Sequence, residues 1–125
     1  MDRTLTRLVE LADRRSRFTY DLRGDCIVYS GVVAAYRATR DSPHFTDLAE
    51  AVAHAFAHDG LVGAWRDPAT GRMSYDSCRL FMDMESALRF AREQQQLAIY
   101  NLNRDEEVRV PFYQGNGVDA DNVLP

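Results

Sequence analysis

Asp47, Glu50, His54 and His58 recur at i, i+3/i+4 spacing. Two histidines four apart on one helix face can share a metal ion, and carboxylates could complete its shell. The same pattern describes a solvated helix face, with acids near the N-terminus and imidazoles near the C-terminus, as the helix dipole favours. No H-E-x-x-H motif and no Cys ligand lies nearby, so no metal is expected. Were one held, Glu50, His54 and His58 would be its ligands, and His44 could join from a loop.

The stretch AWRDPATGRMSYD, Ala64 to Asp76, gathers an acid, two arginines, a tyrosine and a glycine. It could be a catalytic loop, but each residue has a structural task. Pro68 suits the second position of a type I turn, Gly71 a positive φ, and the Asp67 carboxylate can fold onto the turn's own amides. The reading is a β-hairpin in which Arg66 faces Arg72, Trp65 lies opposite Met73, and Tyr75 covers Gly63.

Other constellations are weaker. GNGVD at Gly115–Asp119 is one copy of a G-x-G-x-D phrase, and a calcium-binding β-roll needs neighbouring copies. Nor does it read as a phosphate loop, since no helix follows to present its N-terminus. Cys26 and Cys78 have no C-x-x-C spacing and read as two small buried hydrophobes. No G-x-S-x-G elbow frames a nucleophile, and the catalytic residues stay unknown.

The elements that must position these residues follow from periodicity. A helix is expected from about Arg3 to Ser16, with Leu5, Leu8, Val9 and Ala12 as its apolar stripe. RFTYDL alternates as a half-buried strand before a Gly24-Asp25 turn, and CIVYSGVVAAY reads as one long strand bent at Gly31. After Ser42-Pro43, Thr46 can cap a helix that buries Leu48, Val52, Ala55 and Phe56 and stops at Gly60. The hairpin follows, then a helix capped by Asp83, in which Met84, Ala87, Leu88, Phe90, Ala91 and Leu97 share one side and Gln96 lies on the other. AIYNL and a short VRVPF complete the strands.

From Cys26 onward the order is βαββαβ, that of ferredoxin-like α+β folds: an antiparallel sheet with two helices on one face. An N-terminal helix and extra strands are added. No internal repeat is apparent. Residues 1–113 are expected to form a single α+β domain and 114–125 a flexible tail.

Two helices cover one sheet face only. Strand aromatics left on the other must meet the N-terminal helix, a second subunit or a ligand, so Tyr29, Trp65, Tyr75 and Tyr100 are the candidate binding surface.

All 15 basic residues are Arg, against 19 Asp and Glu, giving a net charge of −4. An acidic chain carries no broad footprint for nucleic acid. The Arg-rich N-terminal end is interleaved with acids and reads as a solvated face. No apolar run spans a bilayer and no h-region follows Met1, so a soluble cytoplasmic protein without membrane contact or cofactor is expected.

The block from Gly63 to Val110 carries G-x-W-x-D-P-x-T-G at Gly63–Gly71, D-x-E-x-A-L at Asp83–Leu88 and A-R-E-x-x-Q-x-A-I-Y at Ala91–Tyr100. Somewhat over a third of the chain thereby resembles small uncharacterised accessory proteins of bacteria and their phages. The resemblance implies no activity and no catalytic residue. It implies a mobile-element protein that binds a host protein; phage inhibitors such as anti-CRISPR proteins are similar in size and charge. The expected function is a non-enzymatic protein-interaction module that binds a partner or itself. The alternative is a small dimeric ferredoxin-like (α+β barrel) enzyme, its pocket between sheet and partner subunit.

Overall fold

Among the described residues, three helices each lead into a β-hairpin. The computed structural model describes residues 2–40 and 48–111. Helix α1 (Asp2–Arg14) precedes β1 (Arg17–Asp21) and β2 (Cys26–Ile27). Strand β3 (Val32–Ala35) and one helical turn, α2 (Arg37–Arg40), come next. Helix α3 (Leu48–Ala57) leads into β4 (Leu61–Arg66) and β5 (Met73–Phe81), and α4 (Met84–Glu93) into β6 (Ala98–Asn101) and β7 (Glu106–Arg109). The seven strands form one sheet in the order β2-β1-β4-β5-β3-β6-β7, and every pairing is antiparallel.

The α+β class is as expected, but the sheet is larger by one strand. CIVYSGVVAAY is two strands, not one: β2 stops at Ile27 on the sheet's edge, and β3 starts at Val32 four places away. Gly31 makes the break. Its φ of 102° is one that a side chain resists, and an added Cβ would lie 2.5 Å from Leu80 Cδ1. Its N–H donates to Asn103 Oδ1 at 3.0 Å and its carbonyl accepts from Leu102 N–H at 2.8 Å.

All the longer helices pack on one face of this sheet. Leu8, at 0% exposure, and Ala12 of α1 join Val52 and Ala55 of α3 over Phe18, Tyr20, Val62 and Ala64. Ala87, Phe90 and Ala91 of α4 cover Val32, Ala34 and Ile99. Helix α1 therefore does not cover the second sheet face; its stripe is spent beside α3. Val9, expected in that stripe, stays 49% exposed, and Phe56 and Leu97 also point outward. Gln96 moves the other way and is buried, its amide donating to the Gln94 carbonyl. Asp83 caps α4 as expected, accepting from Ser86 N–H at 2.8 Å. Gly60 ends α3, its N–H returning to the Ala55 carbonyl at 2.7 Å. Thr46, His44, Asp47 and the tail from Gln114 lie outside the described residues.

The β4–β5 connection is the hairpin expected from its sequence. Asp67 Oδ1 accepts from Ala69 N–H at 2.9 Å, and Gly71 has φ 76°. Its register differs by one residue. Asp67 N–H donates to the Arg72 carbonyl, so Arg66 pairs with Met73, Trp65 with Ser74 and Gly63 with Asp76. A loop one residue shorter flips which β5 side chains share a face with β4. Tyr75 consequently sits beside Ala64 on the helix-covered face, not beside Gly63.

The first and last hairpins repeat one another, a feature absent from the sequence expectations. Tyr20-Asp21-Leu22 followed by Asp25 recurs eighty residues later as Tyr100-Asn101-Leu102 followed by Asp105. In each, the tyrosine hydroxyl donates to the aspartate five residues on, and that aspartate has φ near 50° (54° and 52°). Asp21 and Asn101 each accept backbone N–H groups of their own turn. The second turn ends at Asp105, so the last strand starts at Glu106 and not at Val108.

These contacts separate two neighbours on α1. Leu8→Ala is expected to cost about 2–5 kcal/mol in urea unfolding, since it empties a filled core site. Val9→Ala should stay within about 0.5 kcal/mol. Equal effects of the two would contradict the packing of α1.

Candidate functional site

On the face opposite α1, α3 and α4, the strands curl toward one another. Arg17 begins β1 and Tyr100 lies on β6, four places along the sheet. In a flat sheet those strands would be about 19 Å apart. Instead the Arg17 guanidinium stands 4.2 Å from the centre of the Tyr100 ring. Val28, Val33, Leu61, Leu80, Tyr100 and Leu102 pack inside the curve beside buried Cys78. The second sheet face is thus covered largely by the sheet's own far end.

The curl forms a half-open cavity of about 250 Å³ whose lining includes Arg17, Trp65, Asp76, Cys78, Tyr100 and Glu107. Small residues make the room: Gly63, Ala35 and Ala98 line it as well. Gly63 permits the floor. A Cβ there would stand 2.7 Å from Asp76 Oδ1, the carboxylate of a residue only 5% exposed on the paired strand. Trp65 is the direct cross-strand partner of Arg17, and the Arg17 guanidinium reaches the Tyr100 ring across the cavity. A second cavity of about 240 Å³ is lined by Arg15, Tyr29, Leu102 and Asp105 and shares Arg17, Thr19 and Tyr100 with the first. The Arg17–Tyr100 stack stands between the two.

The Cys78 thiol and the Tyr100 phenol are both held in their neutral forms at neutral pH. Burial, with Asp76 and Asp59 nearby, pushes the Cys78 thiol well up, so it stays protonated and a poor nucleophile. Burial and the hydrogen bond to Asp105 push the Tyr100 phenol up to about 12 against the pull of Arg17. Cys26, expected to be buried, is exposed on the edge strand β2.

Three of the four candidate aromatics belong to this face. Trp65 and Tyr100 line the first cavity, and Tyr29 lines the second, its hydroxyl 3.3 Å from Arg15 Nη2. Tyr29 follows β2 in a connection and is not on a strand. Tyr75 faces the helices and belongs to the core. Sequence reasoning missed Arg17, Asp76 and Glu107. Alternation along RFTYDL puts Arg17 opposite Phe18, but the stack with β6 depends on a curl that no local pattern encodes.

His54 and His58 lie elsewhere, on the helix-covered side. Their rings stack in parallel, 3.9 Å apart with 8° between planes, and Tyr36 sits 5.0 Å from each. His58 Nδ1 lies 2.8 Å from the His54 carbonyl. Parallel imidazoles do not aim their lone pairs at one point, and among the described residues no His, Cys, Asp or Glu group has a metal-holding arrangement. Glu50 has its own interactions one turn earlier on α3. Desolvation first, and then the neighbouring His58, lower the His54 pKa. The Tyr36 hydroxyl donates to Asp59, whose other oxygen stands 3.5 Å from Arg79 Nε. Among the described residues no helix is long and apolar enough to cross a membrane.

No protein-family model, curated protein or solved structure matches the chain.

Tyr20, Tyr36 and Tyr100 each have a phenol pushed from 10.0 to about 12, by burial first and by a carboxylate acceptor second. A neutral form favoured by folding stabilises fully below the unfolded value, and that contribution is lost as pH rises from about 10 toward 12. Thermal melts should therefore fall over that window while absorbance near 295 nm reports phenolate. Replacing all three by Phe should flatten the pH dependence; an unchanged slope would refute the Tyr–Asp ties.

Proposed function

We propose that this protein is a non-enzymatic binding module whose working surface is the concave side of its curled sheet, and that its partner is a protein. The single observation behind this reading is the pair of cavities joined at the Arg17–Tyr100 stack and walled by one chain. Their lining combines aromatic rings with a few charged groups, the composition by which pockets orient a guest. A thiol held protonated and a phenol engaged as a donor suit recognition better than proton transfer. The accessory-protein reading, in which a host protein is bound, rests on the resemblance carried by Gly63–Val110. A pocket shared with a partner subunit, which a dimeric α+β barrel enzyme would use, draws less support, because the sheet already folds over its own face. We read the central strands β4-β5-β3-β6, with α3 and α4 on one side, as a ferredoxin-like unit extended at one edge by the helix–hairpin α1-β1-β2 and at the other by β7.

Filling the cavity tests the proposal. Ala98→Phe should keep the wild-type melting temperature within a few degrees and abolish a stoichiometric complex isolated from a bacterial lysate and sized by light scattering. Tyr75→Phe, on the helix side, should leave the complex intact. A complex indifferent to Ala98→Phe and to Tyr29→Ala would place recognition on another face.

A further inference from the structure

We infer that the larger concave cavity is a receptor for a guanidinium or ammonium group, and that Arg17 is its resident occupant. The inference rests on the binding-module reading above and adds the chemistry of the guest. Three observations carry it. The first is charge: among the described residues lining the cavity Arg17 is the one basic residue, against Asp76 and Glu107. Asp76 is a carboxylate at 5% exposure, so an anionic guest would enter a poorly solvated space that already holds negative charge. The second is the aromatic wall. The Tyr100 ring face holds a guanidinium at 4.2 Å, with Trp65 paired to the same arginine. An aromatic face with acids beside it is the arrangement that recognises organic cations. The third is size. A volume of about 250 Å³ falls below the range of drug-sized or nucleotide ligands and suits one side chain or a small amine.

Arg17 then acts as a built-in competitor. A partner's arginine or lysine, or a free organic cation, takes the face of Tyr100 as the Arg17 side chain swings toward the second cavity, which it also lines. Glu107 is exposed on β7 and faces the entering charge.

The chain contains a single Trp, Trp65, and it lines the cavity, so its fluorescence reports occupancy directly. The probes are ethylguanidinium, a capped Gly-Arg-Gly peptide and propionate, each titrated at low salt into the full chain. Both cations should quench or shift Trp65 saturably, and propionate should not. Arg17→Ala should tighten cation binding by about tenfold, and Tyr100→Leu should weaken it by about as much. Should either variant fail to fold, Glu107→Gln, at an exposed position, should still weaken the cations several-fold. Equal affinity of the two cations assigns the site to small amines, and a much tighter peptide assigns it to a partner's side chain; both support the inference. Saturable propionate binding that Arg17→Ala abolishes would overturn the cation assignment while leaving the binding cavity in place. No saturable response to any probe, with partner capture unaffected by Ala98→Phe, would overturn both readings.

Discussion

Ile27 and Val32 are separated by only four residues, Val28 to Gly31, yet they belong to strands four places apart in the sheet. Fully extended, that stretch of chain reaches about 17 Å. Four strand spacings in a flat sheet need about 19 Å, before any allowance for the turn at Gly31. The connection is too short for a flat sheet, so the sheet bends until β2 and β3 come within reach. Everything on the concave side follows. Val28 is drawn inside against the Val33–Leu61–Cys78 cluster, β1 approaches β6, and a cavity remains where Gly63, Ala35 and Ala98 supply too little side chain to fill the curve.

Two further features hold the bend in place. Gly31 is bonded through both its N–H and its carbonyl to the β6–β7 turn, which fastens the crossing segment to the far hairpin. The repeated Tyr–Asp ties stiffen the two hairpins that meet across the cavity, so each presents a defined wall. The helices do a different job. Their contacts with Phe18, Tyr20, Val32 and Val62 stabilise the convex face and leave the concave face to the strands. Core and candidate site therefore use opposite sides of the same residues' backbone, and Phe18 beside Arg17 shows the division within one dipeptide.

Much of this was legible in the sequence. Alternation in RFTYDL, the D-P-x-T-G turn, the Asp83 cap and Gly60 gave the helices and hairpins, and the βαββαβ order gave the class. What was hidden depends on events between distant segments. Periodicity does not distinguish one bent strand from two strands joined across a sheet, since CIVYSGVVAAY has β composition throughout. The hairpin register turned on whether Asp67 joins the ladder, a matter of one hydrogen bond to Arg72, and that bond decided the face of Tyr75. Of the aromatics expected on strands, Tyr75 and Phe81 pack on the helix side and Tyr29 lies off the strands, whereas Trp65 and Tyr100 lie on the face opposite the helices. Charged members of that face gave no signal, because an arginine, an aspartate and a glutamate spread over ninety residues look like solvated surface until the sheet brings them together.

The central claim is that β1 and β6 meet across the concave face. Nuclear Overhauser effects between the Arg17 side chain and the Tyr100 ring protons test it directly in the intact protein. The curled sheet predicts clear cross-peaks joining Arg17 to both Tyr100 and Trp65, with Tyr100 ring currents shifting the Arg17 methylenes upfield. A Tyr100 ring in contact only with its neighbours on β3 and β7, and an Arg17 in contact only with β4, would mean that the sheet is open and the cavity does not exist.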